Sequence, residues 1–341
     1  MAGAIVRAIS RRLARRSIRA GPGGFHGDRA MSGYVQLPEG WERVASAGPG
    51  AFVTTEEFRR PDGSRVRWES RRHRKRSAAR RTATPPETAD GQAPVPGAEP
   101  PGWWRPKQRS WWMAVLFVIG SACFIAGGIA SQWASTPRPA IGVTFFVGSI
   151  FFTTAAYLQW SEAVNAERRI AVARHRRRWR PASWEPRRID WLSAAVQLIG
   201  TFLFNVSTFA ALNHSLTTHQ SNTRVWAPDA FGSIAFLISS ELAFAEVCHR
   251  WLCLRCRTLA WKIVALNLLG SIAFGISAIA SLLEPSTGEP VSARIANSGT
   301  WLGGVGFLIG ALLLIPEAAG EGSGADAQTV ADPGIGAHPR G

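Results

Sequence analysis

Six apolar runs, approximately 111–133, 140–160, 191–212, 229–248, 261–283 and 299–316, crowd into the last two-thirds of this 341-residue chain. Each is close to the ~20 residues that span the hydrocarbon core of a bilayer. A soluble domain would struggle to bury six such runs in series. In lipid no backbone N–H or C=O can be left unpaired, so each run reads as an α-helix. The period-two alternation of a membrane barrel is missing. A mean hydropathy of +0.00 hides two unlike parts. Residues 1–110 are rich in arginine and have no long apolar run, whereas residues 111–316 carry all six spans.

The net charge of +16 is compatible with nucleic acid, anionic lipid or topology signalling. Its placement favours topology. Arg168, Arg169, Arg174, Arg176, Arg177, Arg178, Arg180, Arg187 and Arg188 fall between spans two and three, and Arg250, Arg255 and Arg257 follow span four. The remaining connections hold Arg138, Arg224 and Arg294, one each. By the positive-inside rule both termini and the second and fourth loops are cytoplasmic. Trp111, Trp112, Trp160, Trp191 and Trp261 then fall at the inner interface, and Trp133, Trp226 and Trp301 at the outer one, as an aromatic belt would.

Ahead of the spans, residues 1–20 are compatible with a basic amphipathic helix, with Ile5, Ile9 and Leu13 opposite Arg7, Arg11, Arg15 and Arg19. Residues 1–30 also read as an upstream extension, with translation starting at Met31. Residues 31–81 form a basic segment in which Pro61-Asp62-Gly63 marks the turn of a β-hairpin over 51–69. The run RRHRKR (Arg71–Arg76) follows. It reads first as a solvated anchor that attracts anionic lipid head groups, and second as a nucleic-acid patch, for which no aromatic stacking platform is present. Residues 82–110 include a Pro-, Ala- and Thr-rich linker expected to be disordered, as is the tail 317–341.

Spans one, three and five share one pattern: Trp, eight residues, Gly, Ser or Thr, two residues, Phe. It appears as Trp111…Gly120-Ser121…Phe124, Trp191…Gly200-Thr201…Phe204 and Trp261…Gly270-Ser271…Phe274. Span four (Phe231–Ser240) matches span six (Leu302–Ala311), which sets Glu246 and Glu317 at equivalent positions; span two fits more loosely. The fold class is therefore an all-α membrane protein of six transmembrane helices, arranged as three parallel-repeat hairpins at 111–160, 191–248 and 261–316. The hairpins, above all Leu116–Phe124 followed by Phe145–Phe152, resemble the YrhK-like family of small bacterial membrane domains. Longer stretches of the third and fifth spans resemble multi-span actinobacterial membrane proteins. The resemblance implies a fold type and a bacterial inner membrane, with no established activity.

An ionisable side chain within a span is a functional candidate by default. Glu241, midway along span four, is the first of these, as a proton-carrying or cation-coordinating carboxylate. Glu246 reads as interfacial. Gln197 and Asn267 share the position three before the repeat glycine, where the first unit has Phe117, and Asn205 adds a further amide. Should Glu241, Gln197, Asn205 and Asn267 converge, they would make a small polar site; interhelical hydrogen bonding is their other use. Cys248, Cys253 and Cys256 include a CxxC, yet no second ligand pair accompanies it, and structural or lipid-modified thiols fit better than a metal site. His214 and His219 have no supporting ligands. Nothing in the sequence implies a cofactor, and no Walker loop, GxSxG, HExxH or dinucleotide fingerprint is present. The readings carried forward are a non-enzymatic scaffold or accessory protein, a transporter or channel for a small ion or solute using Glu241, and tethering of nucleic acid or anionic lipid by the basic region. The protein partner and oligomeric state are not legible.

Overall fold

The computed structural model describes residues 37, 39–75, 104–133, 135–166, 180–251, 253 and 257–323. The basic helix and extension expected before residue 31, most of the linker, Arg76, loop arginines 168–178, Cys256 and residues 324–341 lie outside the described residues.

Among the described residues six helices are long and apolar enough to cross a membrane: α1 (Arg109–Ala130), α2 (Arg138–Val164), α3 (Ile189–Ala210), α4 (Ala227–Cys248), α5 (Leu259–Ala280) and α6 (Ala293–Ser323). Their starts follow local chemistry. Prolines stand in the first turns of α2 and α4, where a missing N–H costs nothing. The Thr258 hydroxyl caps α5 by accepting from the Trp261 N–H at 3.2 Å. A short helix (Thr218–Ser221) and a π-turn (Asn222–Trp226) lead into α4. The last helix begins earlier than its apolar run and continues through Pro316 to Ser323. The stretch 317–323, expected as part of a disordered tail, is thus helical.

Each helix packs on its chain neighbours, and α6 also closes against α1, so the six form a closed ring. Inside it, Phe124, Phe204 and Phe274 touch one another with ring centroids 5.7–6.1 Å apart. Phe152, Phe236 and Phe307 stack beside them, Phe307 lying 5.7 Å from Phe152 and 5.9 Å from Phe236. All six side chains are buried. Most of these contacts are edge-to-face, the arrangement that an aromatic quadrupole favours.

The phenylalanines reach the centre because the helices of each pair cross at glycines. A Cβ on Gly120 would lie 3.0 Å from the Gly148 carbonyl oxygen, one on Gly200 3.2 Å from that of Gly232, and one on Gly270 3.0 Å from that of Gly303. No side chain fits between backbones this close.

A three-stranded antiparallel sheet of β1 (Glu42–Ala47), β2 (Thr55–Arg59) and β3 (Arg65–Glu69) sits at one end of the ring. The expected hairpin is its second half, with Gly63 at φ 84° in the turn and Asp62 accepting from the Ser64 N–H. The strand β1, exposed at nearly all its positions, gave no alternation to recognise. Phe52, just before β2, packs with Ile189, Leu242 and Ala245, so the sheet is docked on α3 and α4. His249 ends α4 in the left-handed conformation and its ring hydrogen-bonds the Thr54 hydroxyl at 2.9 Å. After β3 the chain turns helical over 70–75.

Candidate functional site: a charged mouth over an axial cavity

The helical turn at 70–75 enters the end of the ring that carries the sheet. Arg71, Arg74 and Lys75 were expected in solvent; instead all three are at least mostly buried. Each finds a carboxylate at a helix end. The Arg71 guanidinium donates to Glu317 of α6 through Nε at 3.0 Å and Nη2 at 2.9 Å. Arg74 Nη1 lies 3.0 Å from Glu246 of α4 and 3.2 Å from Asp190 of α3, with its Nε 3.7 Å from Glu162 of α2. Lys75 Nζ is 3.3 Å from Glu162. The Ser70 hydroxyl donates to Glu246 at 2.6 Å. Arg188 completes the cluster through Asp190 and Glu185.

Burial works against a charged Arg74, but Glu246, Asp190 and Glu162 together outweigh it and hold its pKa above the ordinary arginine value. Arg188 behaves likewise: desolvation opposes its charge, and Asp190 and Glu185 more than restore it. Buried ions of this kind persist only when paired and hydrogen-bonded.

Beneath this mouth lies a cavity of about 70 Å³, with room for several waters and polar enough to hold them. Arg71, Arg74 and Lys75 form its outer wall, and Phe117, Phe236 and Phe307 part of its floor. Its sides carry Gln159, Ser193, Gln197, Ser239, Ser240 and Asn267. The Gln159 amide donates to Gln197 Oε1 at 3.0 Å, and the Ser239 hydroxyl reaches the same oxygen at 3.4 Å. Below the cavity the aromatic layer closes the axis.

The four polar residues singled out from sequence are divided by this arrangement. Gln197 and Asn267 line the cavity. Asn205 hydrogen-bonds Thr153 of α2 at 2.9 Å and is not among the lining residues. Glu241 is half-buried and is also not among them. The helical stripe explains why: Phe236, Ser239, Ser240 and Ala243 face the cavity at i, i+3, i+4 and i+7, and Glu241 is turned off that face. Glu246 is on it, one step further on.

The carboxylates of the mouth were missed as a set, although a signal for them existed. Glu162, Glu246 and Glu317 each follow a core phenylalanine (Phe152, Phe236, Phe307) by ten residues. The looser match of span two hid the first of the three.

The thiol candidates do not form a cluster with free sulfurs. Cys248 is a buried free thiol, while Cys253 is disulfide-bonded, and its sulfur is not open to lipid modification or metal ligation in that state. Among the described residues no group of three His, Cys, Asp or Glu is placed to hold a metal ion.

The chain matches no protein-family model, and neither the curated proteins nor the solved structures contain a match to it.

Proposed function

We propose that this is a non-enzymatic multi-pass membrane protein whose six-helix ring is a path for a small cation, held in a closed conformation. The observation that carries this reading is the axial cavity, polar on its sides and ringed by carboxylates at its mouth. With Arg71, Arg74 and Lys75 withdrawn, the carboxylates leave a negative, low-dielectric mouth of the kind that concentrates cations. The site moves from Glu241, where the sequence suggested it, to Glu162, Glu246 and Glu317, with Gln159, Gln197 and Asn267 behind them.

Three parallel hairpins around one axis are part of the same reading. In support, positions equally spaced from the repeat glycines line the cavity together. Seven before it stand Met113, Ser193 and Ile263; three before it stand Phe117, Gln197 and Asn267. On the second helices, Gln159, Ala243 and Leu314 each lie eleven past the paired glycine. The likeness to YrhK-like hairpins fits this unit. Loop arginines put the charged mouth and both termini on the cytoplasmic side, in a bacterial inner membrane by that likeness.

A scaffold or accessory role is the second reading. It is favoured by the six buried phenylalanines on the axis and by the pairing of every mouth carboxylate. A flux measurement separates the two. In vesicles, a variant with Arg71, Arg74 and Lys75 changed to Gln and Phe274→Ser should leak potassium over chloride, while the unaltered chain stays tight. Were that variant monodisperse and impermeable to both ions, the scaffold reading would stand. Binding of nucleic acid or anionic lipid by Arg71, Arg74 and Lys75 would require all three to leave their carboxylates.

A further inference from the structure

We propose that the turn at residues 70–75 is a displaceable plug, an autoinhibitory contact that the soluble sheet holds in the mouth of the axial cavity. It rests on the reading of the ring as a cation path only for what happens after the plug leaves.

Three independent features of the structure point to it. The first is the cavity itself: Arg71, Arg74 and Lys75, none of them on a ring helix, form part of its lining beside the mouth carboxylates, so withdrawing one turn widens its way to solvent. The second is the chemistry of attachment. The turn packs no large apolar anchor into the mouth; Ser70, Arg71, Arg74 and Lys75 bind through hydrogen bonds and ion pairs. Such contacts are exchangeable for water and mobile ions, whereas a hydrophobic plug would not be. Arg71 reaches an anion on α6 and Arg74 anions on α2, α3 and α4, with Lys75 sharing the one on α2, so the turn also clamps these four helices together. The third is the tether. β3 ends at Glu69, immediately before the turn, and the sheet rests on the ring through the small contact around Phe52 and the His249–Thr54 hydrogen bond. Tilting the sheet away withdraws the plug as one piece.

Glu162, Glu246 and Glu317 would be left uncompensated, while Asp190 keeps Arg188. Entry to the open cavity is therefore selective for cations, and the plug is itself the tethered competitor for that entry.

The test reads accessibility, not transport. In a background of Cys123→Ser and Cys248→Ser, Asn267→Cys places a thiol on the cavity wall. Detergent-solubilised protein is reacted with a trimethylammonium-bearing methanethiosulfonate and, separately, with its sulfonate counterpart. With the native turn both should react slowly. Changing Arg71, Arg74 and Lys75 to Gln should speed the cationic reagent by ~10-fold or more and the anionic one far less, as expected of a negative funnel. A second variant adds Glu162, Glu246 and Glu317→Gln, so that no buried charge lacks a partner. It should stay fast but lose the preference for the cation. A fast reaction with the native turn in place overturns the proposal. So does an unchanged slow rate in the six-fold neutral variant. If labelling behaves as stated while the vesicle flux is absent, the plug stands and the cation path fails.

Discussion

The aromatic layer and the charged mouth close the same axis by opposite physics. In the layer, six phenylalanines pack on one another, each contact weak alone and the sum large. Its rings come one from each of the six helices. At the mouth, single charges decide the outcome, and the partners come from far apart: Arg74 and Glu246 are 172 residues apart, Arg71 and Glu317 246. The layer is a closure that only a rearrangement of the helices would open. The mouth is closed by a segment that belongs to another module. With the turn acting as the proposed plug, the difference puts stability in one and regulation in the other.

The largest expected break in that comparison is Arg74→Met. It leaves Glu246 buried without its cation and Asp190 with Arg188 alone, at a cost of about 3–5 kcal/mol. Thermal unfolding in detergent should show a marked drop, and Glu246→Gln in the same chain should recover part of it. Phe274→Ala follows at about 3 kcal/mol, the cost of a cavity where three rings met. Because that loss is local packing, salt should not alter it, whereas the Arg74 effect should change with ionic strength.

Gly200→Ala comes next. Its Cβ would meet the Ala235 Cβ at 3.1 Å as well as the Gly232 oxygen, for about 1–3 kcal/mol of overpacking. The smallest effect is a pH dependence at the sheet contact. Burial pushes the His249 pKa below its ordinary value, with Arg67 adding to the effect and Glu69 and Glu246 opposing it. The fold thus prefers the neutral ring. Its contribution is complete above the ordinary histidine pKa and is lost as pH falls through the depressed one. Protease sensitivity of the sheet should rise on mild acidification, and His249→Gln should flatten that rise.

The two regions were unequally legible in the sequence. The length of the apolar runs alone located all six helices, because a span must satisfy its own backbone and so signals locally. The Trp–Gly–Phe spacing named Phe124, Phe204 and Phe274 as equivalent, and they meet. Gln197 and Asn267 were found by the same register. The mouth was hidden for a physical reason: nothing within a few residues of Arg74 distinguishes a guanidinium bound for solvent from one bound for three carboxylates. RRHRKR read as a solvated run since its partners sit on four helices that only tertiary structure assembles. Glu241 drew attention as the deepest carboxylate, yet depth along a span does not give the face, and the stripe through Ser239 and Ser240 leads to Glu246 instead.

The docking of the 70–75 turn in the mouth is tested most directly at its most isolated ion pair, Arg71 with Glu317. Arg71→Glu and Glu317→Arg should each lower the melting temperature, and the two together should restore most of the loss, a coupling of at least ~1 kcal/mol. Additive losses in the double variant would contradict the account, because they would mean that Arg71 and Glu317 do not meet.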